Sequence, residues 1–560
     1  MTDDELVAFA QAWMADDPDP VTAAATAALL AGPDLAGLRA CFGERLAFGT
    51  AGLRGALGPG PNRMNQALVR RASAGFGRYL IEQASRGTVV VGFDGRHGSR
   101  IIAEDTARVL AGLGFIVFLA DGPAPTPALA FAVRKLCCTG GVMVTASHNP
   151  PQDNGYKVYW GNGAQIVPPH DTGISACIGA IGSLAELDVP PLDELRRAQR
   201  VRPIPPEVDV AYAAEVDALR CYRGPTDLRV VYTAMHGVGR ASVEAALKRS
   251  GYNDLHIVAA QAEPDPDFPT VAFPNPEEPG ALDLALALAR AQQADVVLAN
   301  DPDADRLAVA VPDGRGGYRP LTGNELGVLL ADELLTHGAR PEKALVATTV
   351  VSSQLLGRMA AAAGVRFAET LTGFKWLATE ALKQARDDVY FVMGYEEAIG
   401  YSVGEVVRDK DGVSAALIVC DLVARAKQDG VTVLDRLAAL YRRHGLHRST
   451  QKSLKMPPSQ GALLMERLRA EPPTEIGGVL VVGQRDYLLE KTDLPPSDLL
   501  AFRLEGGHRV LVRPSGTEPK VKIYVEVVLP FGVGETLAAG EAQADELLTR
   551  VVADAAQRLG

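Results

Sequence analysis

Cysteine is scarce in this chain, which has six among 560 residues. No two of them form a C-x-x-C pair, so the pattern excludes a disulfide framework and predicts reduced thiols in a cytoplasmic protein. The sequence also lacks any run of about 18 uninterrupted apolar residues, and a membrane-spanning helix is therefore not expected. Residues 1–19 are acidic and contain no basic segment followed by an apolar one, so we expect no signal peptide.

Positive charge is in short supply as well. Lysine and arginine together number 56 against 68 aspartates and glutamates, which gives a net charge of −12. This balance argues against nucleic acid or an anionic membrane as the main partner. A small anionic substrate is not excluded, because a local basic pocket can outweigh a distant negative surface. No segment of the sequence indicates an obligatory protein partner.

Length and hydrophobic patterning predict several α/β domains. Domains usually hold roughly 100–200 residues, so a chain of this length implies about three to five of them. Between residues 88 and 145, strands and helices alternate, which predicts right-handed crossovers and a mostly parallel sheet. The alternation recurs at 228–311 and 344–393, whereas closely spaced strands after residue 455 predict a partly antiparallel α+β unit.

Proline-rich seams near residues 190, 203, 316 and 457 divide the chain into predicted domains. The first 40 residues are rich in alanine and predict a helical extension, in which Thr2 and Glu5 have the spacing of a capping box. The predicted domain boundaries are 1–40, 41–205, 206–322, 323–455 and 456–560.

Ser147 lies in a polar, proline-stiffened loop directly after the predicted strand 141–145. Ligands of open α/β sheets bind beyond the carboxyl ends of the strands, so a serine there can act as a nucleophile or carry a phosphoryl group. The alternative is a serine that only bonds the loop backbone. His148 could polarise Ser147 or bond the backbone in the same way. Asn154-Gly155 predicts a turn that returns Lys157 toward the serine.

Asp301, Asp303 and Asp305 follow the predicted strand 295–299. Alternate side chains of an extended segment point to one side, so the three carboxylates are predicted to converge. Their mutual repulsion calls for a cation, and all-oxygen ligation favours Mg²⁺, Mn²⁺ or Ca²⁺. An EF-hand is not supported, because Arg306 stands where that loop requires glycine. A solvated acidic turn is the remaining alternative.

Three further loops contain residue types that suit a phosphorylated sugar. Glu396 lies between two glycines after the strand 389–393, and carboxylates are good acceptors for vicinal hydroxyls. Arg513 begins a loop with two hydroxyl residues and a glycine, which forms a plausible anion cradle. Arg54 lies inside the glycine-rich stretch 49–55. Each loop has an ordinary exposed turn as its alternative.

Taken together and in this order, the loops resemble the α-D-phosphohexomutase superfamily. The similarity runs from about Phe48 to the C-terminus, and it is strongest to the branch of phosphoglucomutases and phosphopentomutases that carry the motifs found here at 372–376 and 394–400. The four-part signature of the superfamily matches Thr145–Pro150, Asp301–Arg306, Gly394–Glu397 and Arg513–Thr517.

The resemblance implies three similar mixed α/β domains and a C-terminal α+β domain around a central cleft, each contributing one loop. Under it, 41–205 is the phosphoserine domain, 206–322 the metal-binding domain, 323–455 the sugar-binding domain and 456–560 a phosphate-binding domain. One Mg²⁺ per chain is expected on the three aspartates and on Ser147, which is also the phosphoserine. The other implied catalytic residues are His148, Lys157 and Arg54, and the implied substrate-binding residues are Arg306, Lys375, Glu396, Arg513, Ser515, Gly516 and Thr517.

The implied reaction interconverts glucose 1-phosphate and glucose 6-phosphate through a bisphosphorylated sugar, and glucose 1,6-bisphosphate or a similar compound would prime Ser147. Lys157 could exchange a proton with the reacting hydroxyl if nearby cations and burial lower its pKa, and His148 is the alternative. Many hexose-specific members have serine where this chain has Ala398. A pentose phosphate or mannose phosphate therefore stays an alternative substrate, as do a phosphatase and a non-catalytic phosphosugar sensor among functions.

Overall fold

The computed structural model describes residues 1–32, 34–46, 52–85, 87–338, 341–515 and 520–559. The chain divides into two compact units. The first comprises Met1–Arg220, Thr226–Pro320 and Gly400–Cys420, and the second comprises Cys221–Pro225, Leu321–Ile399 and Asp421–Gly560. No helix within the described ranges is both long and apolar enough to cross a lipid bilayer.

Three helices occupy the start of the first unit: α1 (Asp3–Asp16), α2 (Pro20–Ala31) and α3 (Leu35–Phe42). The capping box predicted at Thr2 is confirmed, because its side chain accepts from the Glu5 N–H and the Glu5 carboxylate accepts from the Thr2 N–H. Two backbone N–H groups at the helix start, which have no partner within the helix, thereby receive hydrogen-bond acceptors. The apolar side chains of α1, including Leu6 and Trp13, pack with Phe42 of α3 in a small core.

The first sheet of this unit carries the predicted serine loop. Its order is β1-β5-β4-β2-β3-β6. The pairs among β4, β2, β3 and β6 are parallel, and the two pairs made by β5 are antiparallel. Strand β2 contains three consecutive valines that are fully buried, as expected of a strand covered on both faces. The elements are β1 (Leu53–Ala56), α4 (Gln66–Glu82), β2 (Thr88–Phe93), α5 (Ser99–Gly112), β3 (Ile116–Leu119), α6 (Thr126–Lys135), β4 (Gly140–Val144), β5 (Asp153–Trp160), α7 (His170–Gly179), α8 (Leu192–Arg197) and β6 (Val201–Pro203).

The second sheet carries the aspartate loop. Its order is β11-β10-β9-β7-β8, with β7 parallel to both β8 and β9 and with antiparallel pairing on the side of β10. Strand β9 is buried along its whole length. The elements are α9 (Glu207–Ala218), β7 (Arg229–Thr233), α10 (Arg240–Arg249), β8 (Asp254–Ile257), α11 (Asp283–Gln292), β9 (Val296–Ala299), β10 (Ala308–Pro312) and β11 (Tyr318–Pro320).

The second unit begins with a parallel arrangement in which β12 pairs with β13 on one side and β14 on the other. Its elements are α12 (Gly323–His337), β12 (Ala344–Thr349), α13 (Leu355–Ala363), β13 (Arg366–Thr370), α14 (Phe374–Ala385) and β14 (Tyr390–Glu396). The chain then returns to the first unit for Gly400–Cys420, which contains β15 (Gly400–Val403) and the start of α15 (Gly412–Gln428).

The last sheet is antiparallel throughout, in the order β16-β21-β20-β19-β18-β17. Its elements are α16 (Val433–His444), β16 (Leu446–Lys455), α17 (Pro458–Ala470), β17 (Glu475–Ile476), β18 (Val479–Asp486), β19 (Leu500–Leu504), β20 (Arg509–Pro514), β21 (Lys520–Leu529) and α18 (Leu537–Leu559). The predicted fold class, three mixed α/β parts followed by an α+β part, is confirmed.

One local prediction is wrong. Asn154 and Gly155 do not form a turn but lie inside β5, where they face Gly55 and Arg54 of β1. The chain turns earlier, at residues 150–152. A Cβ on Gly155 would meet the carbonyl oxygen of Thr145 at 2.4 Å, so glycine is required here by close strand packing.

Candidate functional site

Ser147 lies two residues beyond Thr145, past the end of β4, in a buried and strained conformation. Its φ is +52°, a left-handed value that is unusual for a residue with a side chain. The Ser147 N–H donates to Thr145 Oγ1 at 2.8 Å. Its hydroxyl donates to Asp301 Oδ2 at 2.8 Å and lies 3.1 Å from His148 Nδ1. The structure therefore brings the predicted nucleophile onto the first of the three aspartates.

The three aspartates converge, but by a different route from the one expected. Residues 302–305 form a turn in which Ala304 has φ +57°, whereas the sequence prediction assumed an extended segment. Asp301, Asp303 and Asp305 are fully buried, and one carboxylate oxygen of each lies within 4.8 Å of the others. The backbone N–H of Arg306 donates to Asp301 Oδ1 at 3.0 Å and helps to fix that carboxylate.

Lys157 projects from β5 into this carboxylate cluster. Its Nζ donates to Asp303 Oδ2 at 2.8 Å and to Asp305 Oδ2 at 2.9 Å. Burial alone would lower its pKa, but the two carboxylates outweigh burial and raise the pKa of Lys157 above its ordinary value. The condition that the sequence analysis set for proton exchange by Lys157, a lowered pKa, is therefore not met in this arrangement.

The donor set fits a hard divalent cation. Burial and repulsion by Asp303 and Asp305 raise the pKa of Asp301 well above its usual range. Burial also opposes ionisation of Asp303 and Asp305, but Lys157 lowers the pKa of both. Asp303 Oδ1 and Asp305 Oδ1 are buried and accept no hydrogen bond from any part of the chain that the structure describes. Buried carboxylate oxygens left without donors are suitable ligands for Mg²⁺.

Further cationic and imidazole groups surround Ser147. Arg54 Nη1 donates to Asn149 Oδ1 at 3.0 Å, which ties β1 to the serine loop. Arg306 Nε lies 4.0 Å from Asp305 Oδ1. Burial, together with the charges of Arg306 and Arg54, holds the pKa of His148 well below its ordinary value. All eight residues that the sequence predicts for the serine and metal loops therefore meet within the first unit.

The predicted sugar and phosphate residues belong to the second unit. Glu396 is buried at the end of β14, and its Oε1 accepts from the Gly373 N–H at 2.8 Å. Lys375 is buried two residues beyond Gly373, in the first turn of α14. The Glu396 carboxylate therefore contacts the predicted motif at 372–376, which also contains Lys375.

Arg513 lies near the end of β20, and its buried Nε has no hydrogen-bond partner among the described residues. The Ser515 N–H donates to the Lys520 carbonyl at 2.8 Å, which joins the two described ends of this loop. Gly516 and Thr517, the other predicted members of the phosphate loop, lie outside the described residues, as do positions 49–51 of the glycine-rich stretch.

Sequence reasoning missed three residues that contact the site. Lys410 Nζ lies 3.0 Å from Asp305 Oδ2, and Thr126 Oγ1 donates to Asp303 Oδ2 at 2.6 Å. Arg96 donates to the carbonyl oxygens of the serine loop. Arg96 follows the end of β2 as Ser147 follows the end of β4, so the strand-end rule could have identified it. Lys410 and Thr126 reach the aspartates from distant parts of the sequence, and no local signal marks them.

Comparison with protein families finds four consecutive matches along the chain. They are the α/β/α domains I, II and III of phosphoglucomutase/phosphomannomutase, at residues 45–184, 211–315 and 322–443, and the C-terminal domain of the same proteins, at 464–552.

Curated relatives match over most of their length. A Haemophilus influenzae protein named "Probable phosphomannomutase" is 42% identical over 468 residues, covering 83% of this chain and 93% of the relative. Human phosphopentomutase is 37% identical over 565 residues, covering 93% and 91%. A Staphylococcus aureus phosphoglucomutase is 35% identical over 504 residues, covering 87% and 91%.

Solved structures share the fold. A Thermus thermophilus structure assigned as a phosphomannomutase has a TM-score of 0.69 at 25% identity, covering 92% of this chain and 99% of that one. The open form of the Paramecium phosphoglucomutase pp63/parafusin has a TM-score of 0.71 at 21% identity, covering 92% and 97%. At 21% identity the second likeness concerns the fold alone.

Proposed function

The chain belongs to the phosphoglucomutase/phosphomannomutase family of the α-D-phosphohexomutase superfamily, a family of intramolecular phosphotransferases, and we propose that it moves a phosphoryl group between two hydroxyls of a sugar through phosphorylated Ser147. The observation that carries this proposal is the 2.8 Å contact between Ser147 Oγ and Asp301 Oδ2. It joins a strand-end serine to a buried carboxylate triad although 154 residues separate them in sequence.

Phosphoryl transfer depends on alignment and on neutralising charge more than on covalent help from the protein. Asp301, Asp303 and Asp305 would hold Mg²⁺, which when bound supplies positive charge against the phosphoryl oxygens. As phosphoserine donates its group, the bond from phosphorus to Ser147 Oγ breaks, and a bond from phosphorus to the sugar hydroxyl oxygen forms. The hydroxyl proton leaves to a base on the protein.

His148 and Lys157 remain the two candidates for that base. His148 Nδ1 lies 3.1 Å from Ser147 Oγ, within hydrogen-bond reach of the serine oxygen, which loses a proton when it is phosphorylated and regains one when the group leaves. Lys157 is engaged with two carboxylates, at 2.8 and 2.9 Å. On this geometry we favour His148 as the acid/base group and assign Lys157 to electrostatic support of the aspartates.

For the second unit, we propose that Glu396 and Lys375 bind the sugar, and that Arg513 binds the phosphate that is not transferred. The buried Nε of Arg513, which has no hydrogen-bond partner in the described part of the chain, supports this role, because a guanidinium offers paired donors to a phosphate. Ser515, Gly516 and Thr517 are proposed members of the same cradle, and Arg306 is proposed to bind substrate beside the aspartates. Priming of Ser147 by a sugar bisphosphate such as glucose 1,6-bisphosphate completes the proposed cycle.

We propose glucose 1-phosphate and glucose 6-phosphate as the substrate pair. A pentose phosphate is the second candidate, and two observations favour it. The chain has Ala398 instead of the serine of many hexose-specific members, and its phosphopentomutase relative matches over 93% of the chain. We also propose that the domain boundaries 41–205, 206–322, 323–455 and 456–560 hold, since each matched family segment lies inside one of these ranges to within one residue.

The decisive experiment measures phosphate on Ser147 and mutase turnover together. Intact-mass and peptide mass spectrometry of purified protein, before and after incubation with sugar bisphosphate, should find one phosphate on Ser147. Ser147→Ala should lose turnover and keep its fold, whereas Ser85→Ala, which removes an exposed hydroxyl that donates to the Gln83 carbonyl, should retain both. Full turnover by Ser147→Ala would refute the proposal.

Side-by-side kinetics on glucose, mannose, ribose and deoxyribose 1-phosphates would rank the sugars. The highest kcat/KM identifies the preferred substrate, because that ratio reports differential binding of the transition state. Release of inorganic phosphate without an isomerised sugar phosphate would instead indicate a phosphatase. Binding without either product would indicate a sensor.

A further inference from the structure

The guanidinium of Arg96 contacts four backbone carbonyl groups of the loop that carries Ser147. Nη2 donates to the carbonyl oxygens of Ser147 at 2.5 Å and Asn149 at 2.6 Å. Nη1 donates to those of Pro150 at 2.8 Å and Asp153 at 3.2 Å. One side chain therefore contacts three residues of the serine loop and the first residue of β5. The contacts go to backbone groups only, so they depend on the path of the loop and not on its side chains.

Arg96 is itself rigidly held. Its side chain is 1% exposed, and its Nε lies 3.4 Å from the buried Asp94 Oδ2. The Arg96 N–H donates to Asp94 Oδ1 at 3.0 Å, and Ser99 Oγ donates to the same atom at 2.7 Å. The ring of Phe268 covers one face of the guanidinium, with 5.0 Å from Cζ to the ring centroid. The clamp is therefore built on the end of β2 and enclosed by a segment of the second sheet's domain.

We propose that Arg96 is a positioning residue that holds Ser147 in its left-handed conformation and so directs the hydroxyl toward Asp301. A non-glycine residue with φ near +52° persists where its surroundings determine the backbone path. The four carbonyl contacts of Arg96 and the Thr145 hydroxyl supply that constraint. The consequence for catalysis rests on the proposed function, whereas the consequence for the loop itself does not.

Lysine cannot replace Arg96 in this role. Its ammonium is a single point donor, and it lacks the planar fork that reaches carbonyls on two sides. Arg96→Lys keeps the charge and loses most of the geometry, so it tests the clamp and not the electrostatics. Arg108→Lys is a matched control in the same domain, because Arg108 also donates to two carbonyls, Val189 and Pro190, and to Asp105, but does not contact the serine loop.

The first measurement is hydrogen–deuterium exchange of peptides covering residues 145–156, which needs no substrate. In Arg96→Lys the amides of the loop should exchange at least about tenfold faster, because several hydrogen bonds that restrain it are lost. Arg108→Lys should leave this peptide unchanged. Unchanged exchange in a folded Arg96→Lys protein would overturn the proposal regardless of which reaction the enzyme catalyses.

The second measurement is mutase kinetics. Because a displacement of about 1 Å in a reacting group can cost roughly 100-fold in rate, Arg96→Lys should lower kcat by that order while KM changes by less than about threefold. Added guanidinium should restore part of the kcat of Arg96→Ala, whereas the Arg108 variant should match wild type. An equal loss of kcat in the Arg96 and Arg108 variants would overturn the positioning role. So would a normal kcat in Arg96→Lys together with no guanidinium rescue of Arg96→Ala.

A milder variant keeps the test decisive if the Arg96 variants do not fold. Phe268→Leu keeps a branched apolar side chain at this buried position, a milder change than truncation to alanine, but removes the ring over the guanidinium. It should raise loop exchange and lower kcat in the same direction as Arg96→Lys, by smaller factors. Wild-type exchange and kcat in Phe268→Leu would count against the clamp. If the wild-type enzyme shows no mutase activity, the proposed function fails while the exchange result still decides the role of Arg96.

Discussion

Removal of the Lys157 ammonium should make the stability of the protein depend strongly on magnesium. In the structure this ammonium bridges Asp303 and Asp305 at 2.8 and 2.9 Å, and its side chain is 2% exposed. Lys157→Met removes the charge at similar length. The carboxylates then lose the cation between them, while Lys410 at 3.0 Å from Asp305 remains as a partial substitute.

The expected loss follows from the separation of the carboxylates. Two unit charges at the 4.8 Å limit of the cluster repel by about 3.5 kcal/mol at an effective dielectric constant of about 20. Breaking a buried ion pair from one side typically costs about 3–5 kcal/mol. Because Lys410 stays, we expect the lower end of that range, about 3 kcal/mol, for Lys157→Met in the presence of a chelator.

Thermal unfolding with EDTA and with saturating Mg²⁺ measures this effect. Bound Mg²⁺ should return most of the lost stability, so the magnesium-induced shift of the midpoint should be larger in Lys157→Met than in wild type. Lys135→Met is the control, since Lys135 pairs with Glu215 on the surface at 3.1 Å and should contribute less than about 1 kcal/mol. Equal magnesium shifts in all three proteins would refute the reasoning.

Three further variants test other parts of the site. Asp303→Asn should lower kcat by roughly 100-fold with little change in KM, because a ligand to the cation acts chiefly on the transition state; an unchanged rate in saturating Mg²⁺ would contradict this. Arg513→Ala should raise KM by roughly 10- to 100-fold, because it removes charged hydrogen bonds to the phosphate that is not transferred. The same KM in Arg513→Ala and wild type would show that Arg513 does not bind that phosphate. Although burial opposes ionisation, Arg509 and His447 lower the pKa of Glu526, so its contribution to stability should be complete above about pH 4.3 and decline at lower pH. The stability difference between wild type and Glu526→Gln should therefore narrow on acidification, and a constant difference from neutral to acid pH would disprove it.

The strand-end serine and aspartate loops could be predicted from the sequence because the relevant information is local. A run of valines predicts β2, and similar apolar runs predict β4 and β9; the structure shows these residues buried. The residues that follow each strand therefore lie at the carboxyl end of a strand in its sheet, where ligands bind. Chemistry then selects Ser147 and the aspartates among those residues.

Local propensity failed where tertiary contacts override it. Asn154-Gly155 is a strong turn signal, but pairing with β1 on one side and close packing on Thr145 on the other keep it in a strand. The aspartates were predicted to converge as an extended segment, yet they converge around a turn at Ala304. In the second case the conclusion survived because three carboxylates spaced by two residues can meet in either geometry.

Roles that depend on long-range contacts could not be predicted, although the position of Arg96 after β2 could have marked it as a candidate. Lys410 lies about 100 positions from Asp305 in the sequence. Its neighbours at 408–411 are all charged, which is typical of a solvent-exposed segment. In the sequence Arg96 is an arginine directly after a glycine, which by itself indicates no particular role. Its role depends on four carbonyl groups whose positions are set by the fold. Backbone acceptors carry no sequence signature, so this class of contact requires a structure.

The charges at the candidate site give a physical reason for the proposed phosphoserine and the proposed divalent cation to occur together. The three carboxylates lie within electrostatic reach of four cationic side chains, Lys157, Lys410, Arg54 and Arg306, so the protein alone has about one positive charge in excess there. A phosphoryl group on Ser147 adds nearly two negative charges, which a buried site can hold only with compensation. One divalent cation held by the aspartates would supply that compensation. Asp301, whose pKa is raised well above its usual range and whose Oδ2 contacts Ser147 Oγ, is the carboxylate whose ionisation a bound cation would favour most.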